Sequence, residues 1–321
     1  MIRLNDQIVI ECRQWVIAFF ICAVALQALP AEAKPLPGEL AEKNRAVRLE
    51  PSSPWQLESL QDRCRLARQF DSSDGPGLVM IEQLAPTKGF DLTIAGPDIA
   101  RSRKGSWFYA GMRSDLEMET IDPLEFDVAG YDAALALADV RIDDDKSGEA
   151  KDLQTVAAGI DIGSASKMER IVFQRSTAIV SFETGAMEAP FEALNECTRE
   201  LLSGWGLDAE AHADYKPSEL PNAKAYFSRL HHEHVNKPGN VGRESLLRVR
   251  TLVNSDGSVA DCFHEFALSS GGAQPDVCEE VRQMQFESAT DANGEPMASF
   301  YSASVFLSKF DPWEADAHGG R

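Results

Sequence analysis

Ser245-Leu246-Leu247-Arg248-Val249-Arg250-Thr251-Leu252-Val253, followed by Asn254-Ser255-Asp256-Gly257, is the stretch whose reading decides the fold. Leu246, Leu247, Val249 and Leu252 alternate with Arg248 and Arg250, which predicts a half-buried strand of period two with its arginines outward. Gly257 after Asp256 offers the positive φ of a tight turn, so Val259, Cys262 and Phe266 are expected to continue a second, hairpin-connected strand as far as Ser269-Ser270-Gly271-Gly272. Val277, Cys278, Val281 and Met284 then recur at helical spacing behind Pro275 and Asp276. A last strand, Phe300 to Leu307, follows the turn Asp291-Ala292-Asn293-Gly294. The unit therefore reads as β-β-α-β.

Working outward, the 321 residues are 44% hydrophobic, enough for two cores. Arg3 and Arg13 flank a leader, Trp15 to Leu29 is almost unbroken apolar sequence, and Ala31-Glu32-Ala33 is a small-x-small site before Lys34-Pro35. That combination predicts a secretory signal peptide over 1–33, cut after Ala33. The apolar run is short for a membrane span, and Cys22 lacks the small residue that a lipoprotein signal places before its cysteine. Without 1–33 the chain holds 29 Lys and Arg against 48 Asp and Glu, a net charge of -19. Such a surface repels nucleic acid and anionic lipid and keeps an exported protein soluble.

Residues 34–51 read as a polar tail, and 52–206 as a β-rich, sandwich-like domain closed by a helix. Its candidate strands are Trp55 to Leu60, Cys64 to Phe70, Leu78 to Leu84, Phe90 to Ala95, Ser106 to Gly111, Leu116 to Met118, Arg170 to Gln174 and Ala178 to Phe182. Tyr131 to Leu137 is read as a short helix. Pro190, Phe191, Leu194, Cys197, Leu201 and Leu202 trace a second helical face that ends at Ser203-Gly204-Trp205-Gly206. Residues 207–242 are taken as a connector, 243–308 as the C-terminal domain and 309–321 as a tail, giving an α+β protein.

Residues from about 240 to 308 resemble the C-terminal domain of the TonB family. The resemblance rests on Asn254-Ser255-Asp256-Gly257-Ser258-Val259 with Asp261-Cys262, on Ser269-Ser270-Gly271, on Phe286 with Ala289, and on Asp291-Ala292-Asn293-Gly294-Glu295-Pro296. Two positions differ: the family's upstream Tyr-Pro is Lys237-Pro238 here, and Ser288 replaces the Pro ahead of Ala289. Cys64-Arg65-Leu66 and the Cys197 helix running into Gly204-Trp205-Gly206 look like the N-terminal part of exported bacterial proteins that carry such a domain.

Cys64, Cys197, Cys262 and Cys278 remain after the leader and permit three pairings. The domain division selects Cys262 with Cys278 and Cys64 with Cys197; four thiols, or a redox or metal role, are the alternative, and no Cys-x-x-Cys is present. His231, His232, Glu233 and His234 are suitable metal ligand types. On a helix, however, His231 and His234 share a face that His232 does not, so a surface cluster is expected rather than a metal site. Asp143-Asp144-Asp145-Lys146-Ser147-Gly148 is similar to half a calcium loop but meets Gln154 where a bidentate carboxylate belongs. There is no nucleophile elbow, phosphate loop, zincin motif or dinucleotide fingerprint, so neither catalysis nor a cofactor is expected.

The family resemblance implies contact with an outer-membrane or periplasmic protein by β-strand addition. The last strand, near Tyr301, Ala303 and Val305, is the expected edge, unless the first domain or a second copy in a homodimer covers it. A TonB-type energy transducer keeps an anchor bearing a functional His and a long Pro/Lys-rich span. Trp15 to Leu29 holds neither His nor Ser. A soluble periplasmic binding protein of a Gram-negative bacterium is the leading expectation, an anchored transducer the second and an exported enzyme the third.

Overall fold

The computed structural model describes residues 46–73, 75–97, 99, 108–113, 119–121, 123–143, 159–175, 178–237, 244–267 and 274–307. The leader, most of the acidic loop after Asp143, the Ser269 to Gly272 run and the final tail lie outside the described residues, as does Leu116 to Met118. The chain is mixed α and β, with strands in the majority. Among the described residues, no helix is long and apolar enough to cross a membrane.

Strands β1 (Ala46–Pro51), β2 (Gln56–Ser59), β3 (Cys64–Ser72), β4 (Gly75–Gln83), β5 (Phe90–Ala95) and β6 (Phe108–Gly111) come first. They are followed by β7 (Glu119–Ile121), β8 (Leu124–Val128), β9 (Tyr131–Val140), β10 (Ile171–Arg175) and β11 (Ala178–Phe182). One hydrogen-bonded sheet holds all eleven in the order β7-β6-β10-β11-β1-β3-β4-β5-β9-β8, with β2 beside β3.

Two expectations change here. Residues 46–51 are not tail: β1 pairs parallel to β11 through Leu49 and antiparallel to β3 at Glu50 and Pro51, joining the two halves of the sheet. Leu49 is fully buried beside Phe70 and Phe182, whose rings meet edge to face at 5.3 Å. One buried leucine among charged neighbours has no periodicity to announce it. Tyr131–Val140 is strand, not helix: Ala133 to Leu137 are buried on both faces, and a short continuous apolar run does not distinguish a buried strand from a buried helix.

Helix α1 (Ile162–Ala165) is capped by Asp161, whose carboxylate accepts from the Ser164 amide. Helix α2 (Glu188–Gly204) buries Phe191, Leu194, Cys197, Leu201 and Leu202, the face expected from their spacing. The side chain of Asn195 on α2 donates to the Ile160 carbonyl and accepts from the Ile160 amide, both at 2.9 Å. Cys197 bonds Cys64 on β3, tying α2 to the sheet.

The stretch read as connector contributes structure of its own. It carries β12 (Tyr215–Lys216) and α3 (Ala223–Asn236), and Tyr226, Phe227 and Leu230 of α3 enter a second core. Strands β13 (Ser245–Val253) and β14 (Val259–Ala267) then form the expected hairpin. Next come α4 (Val277–Val281), β15 (Ala289–Asp291), β16 (Pro296–Met297) and β17 (Ser299–Leu307). The sheet β14-β13-β17 is antiparallel throughout, while β12-β15-β16 makes a smaller one. Cys262 on β14 bonds Cys278 on α4.

At the hairpin loop, Gly257 has φ +82° and its carbonyl accepts from the Phe286 amide. A Cβ placed there would lie 2.2 Å from the Phe286 carbonyl oxygen, a backbone atom with no room to move. Gly257→Ala is expected to cost about 1–3 kcal/mol through backbone strain, read as a lower urea midpoint with an unchanged m-value.

Candidate functional site

The site is the β14-β13-β17 sheet, whose two faces differ completely. Leu247, Val249 and Val253 of β13 and Tyr301, Ala303, Val305 and Leu307 of β17 point into a core with α3 and α4. The next residues in register point the other way. Arg248 and Arg250, expected to face solvent, are 2% and 4% exposed, because this second face lies against the larger sheet.

Arg248 reaches three carboxylates, two of them across that junction and the third, Glu265, on the neighbouring strand β14. Its Nε donates to Asp91 Oδ2 at 2.7 Å, Nη2 to Glu82 Oε2 at 2.7 Å and Nη1 to Glu265 Oε1 at 2.9 Å. Arg65 donates to the other oxygen of Glu82 at 2.9 Å, and Arg63 pairs with Glu265. Asp91 also accepts from the Ser304 hydroxyl at 2.9 Å and the Asp139 amide at 3.3 Å. Burial works against the charge of Arg248, yet Asp91, Glu82 and Glu265 outweigh it and hold the guanidinium above its ordinary pKa. At Glu82 burial pushes upward, but Arg248 and Arg65 together leave the carboxyl below its usual value. Burial dominates at Asp91, whose carboxyl is raised despite Arg248 and Ser304.

Beside the network lies a cavity of about 40 Å³, lined by Glu82, Gln83, Asp91, Asp139, Ser302 and Ser304 among others. On the other flank a cleft of about 710 Å³ is lined by Asp62, Glu200, Trp205, Arg250 and Asp261 among others. The Arg250 guanidinium lies 4.4 Å from the centre of the Trp205 ring and donates to Asp261 at 3.1 Å. Burial pulls the Arg250 pKa down, with Asp62 and Asp261 pulling the other way.

Of the residues singled out from sequence, the four cysteines form the two expected disulfides. Tyr301, Ala303 and Val305 lie on β17, a terminal strand of its sheet, with side chains 2%, 6% and 3% exposed. The expected surface histidine cluster is only partly at the surface: His231 and His234 are buried on α3, with the His234 ring stacked on Phe266 at 5.8 Å, while His232 is exposed. No group of three His, Cys, Asp or Glu side chains among the described residues is arranged to hold a metal ion. The Arg248 network was not legible as a site, since its members are ordinary polar and charged residues scattered from Arg63 to Ser304.

His212, isolated in sequence, is 4% exposed; its Nδ1 lies 2.5 Å from the Asp208 carbonyl oxygen and its Nε2 3.1 Å from Ser299 Oγ. Burial lowers its pKa, as it does for His234 and His264. A histidine depressed in the folded state stabilises the fold above its unfolded pKa near 6.5 and loses that contribution as pH falls through the folded value. The urea midpoint is therefore expected to fall between pH 7.5 and pH 5.5, and His212→Gln to flatten the slope.

Comparison with family models, with curated proteins and with solved structures returned no match.

Proposed function

We propose that this is an exported, non-catalytic periplasmic protein that binds an extended segment of another protein by adding it as a strand to β17. The observation that carries the reading is the place of β17: nine residues long, it pairs with β13 and, among the described residues, has no strand on its other side. Such an edge holds a row of N–H and C=O groups that a guest backbone can pair with. Two disulfides support an oxidising compartment. The reading includes a TonB C-terminal-like unit over 243–308, following a sandwich-like β-rich domain.

The test is amide NMR on the full chain, titrated with eight-residue peptides from the N-terminal segments of outer-membrane receptors. Shifts along β17, and affinity lost by N-methylating alternate peptide residues only, are the expected result. Binding indifferent to N-methylation, or shifts confined to other elements, sinks the reading.

A further inference from the structure

The sequence of β17 bears on what covers it, given the reading above of this strand as a pairing edge. Ser299–Leu307 is Ser-Phe-Tyr-Ser-Ala-Ser-Val-Phe-Leu, nine residues in unbroken register with β13. Natural edge strands are blunted by lysine, proline or a bulge. β17 holds no charged residue, proline or glycine, in a chain whose net charge is -20. The strand is therefore of the kind that pairs, and two copies of this acidic chain that approach along it oppose no like charges within it.

The direction of its main chain follows from the hairpin. The Asn254 amide donates to the Ser258 carbonyl at 2.8 Å, so Asn254 points toward the β14 side. Main-chain groups of an antiparallel strand alternate in direction, so odd-numbered residues of β13 bond toward β17. Their partners in register, among them Tyr301, Ala303 and Val305, bond back toward β13. The N–H and C=O groups of Ser302, Ser304 and Phe306 therefore point away from β13. These three are also the half-buried residues of the strand, while its other residues are buried.

Phe300-Tyr301-Ser302-Ala303-Ser304-Val305-Phe306 reads almost the same in both directions about Ala303. Two antiparallel copies related by a two-fold axis at Ala303 set Ser302 opposite Ser304, Tyr301 opposite Val305 and Phe300 opposite Phe306. These are hydroxyl, aromatic with β-branched, and aromatic pairs, the kinds that stabilise antiparallel neighbours. Moving the axis by one residue either way sets Phe against Ser. In the Ala303 register the outward groups of Ser302 meet those of Ser304 in the other copy, as an isologous interface requires. We infer that β17 pairs with β17 of a second copy across this axis, so that the edge proposed to receive a guest strand is capped in a homodimer and uncovered when the dimer dissociates.

The experiment follows the mass of the full chain by sedimentation velocity as its concentration rises, with and without the receptor peptides. The mass is expected to double, and peptides that shift β17 to return it to one chain. Ser302→Pro removes an outward N–H and none from the β13 ladder, so it is expected to hold the mass at one chain while still unfolding cooperatively in urea. The register is read on the natural chain, whether or not that variant folds. In a mixture of isotope-labelled and unlabelled chains, an intermolecular NOE is expected between the Hα atoms of the two Ala303 residues, which face each other at a pair not joined by hydrogen bonds. A doubled mass without that NOE, or a dimer that persists while peptide shifts β17, overturns the capping. One-chain mass at every concentration, with peptides still shifting β17, overturns the dimer and leaves strand addition standing. One-chain mass with no peptide shift overturns both readings.

Discussion

Arg248→Met is expected to lower the free energy of unfolding by about 3–5 kcal/mol, because it strips the partner from carboxylates that cannot return to water. Asp91 and Glu82 are 4% and 3% exposed, and each bonds Arg248 at 2.7 Å. Methionine fills much of the same volume, so the loss reports unpaired charge rather than a cavity. Adding Asp91→Asn and Glu82→Gln should return part of the loss, and urea unfolding of the single and triple variants reads both effects. A single variant within about 0.5 kcal/mol of the parent, the range of ordinary surface changes, would mean that water reaches this junction. The acid limb carries a further signature. Glu82, depressed in the fold, supports stability above its unfolded pKa and loses it as pH falls; Asp91, raised in the fold, has the opposite sign and costs stability as pH rises. Their titrations oppose each other in the parent, and Glu82→Gln leaves Asp91 alone, so that variant should lose less stability on acidification than the parent.

The Cys64→Ser, Cys197→Ser pair is the second large effect. The bond closes a sequence separation of 133 residues, for which the chain-entropy estimate is about 5 kcal/mol, against about 3 kcal/mol for the 16-residue separation of Cys262 and Cys278. Cys64 and Cys197 are 0% and 4% exposed, so the serines also bury hydroxyls in an apolar core. Unfolding with and without reductant is expected to show the larger drop in midpoint for this pair. If the reduced parent unfolds at the same midpoint as the oxidised one, the bond adds nothing to stability.

Local signals were legible where they were self-contained. The alternation of Leu247, Val249 and Arg248 marked β13, the spacing of Phe191, Leu194, Cys197 and Leu201 marked α2, and Asp256-Gly257 marked the hairpin turn. Misreadings arose where burial depends on a distant segment. Ala133 to Leu137 sits between β5 and β8, and only those neighbours make it strand. The His231, His232 and His234 cluster was correctly divided by helical spacing, but that two of its members are buried follows from the sheet packed against α3.

The sequence by itself determined the hairpin, the principal α2 helix and the last strand, because each depends on period or turn chemistry within a short window. Only the tertiary structure decided that β1 joins the large sheet and that the arginine face of β13 is interior. An arginine on an alternating strand reads as solvent-facing until carboxylates from elsewhere neutralise it. Glu82 and Asp91, more than 150 residues before Arg248, do so, and no local pattern encodes a partner at that distance.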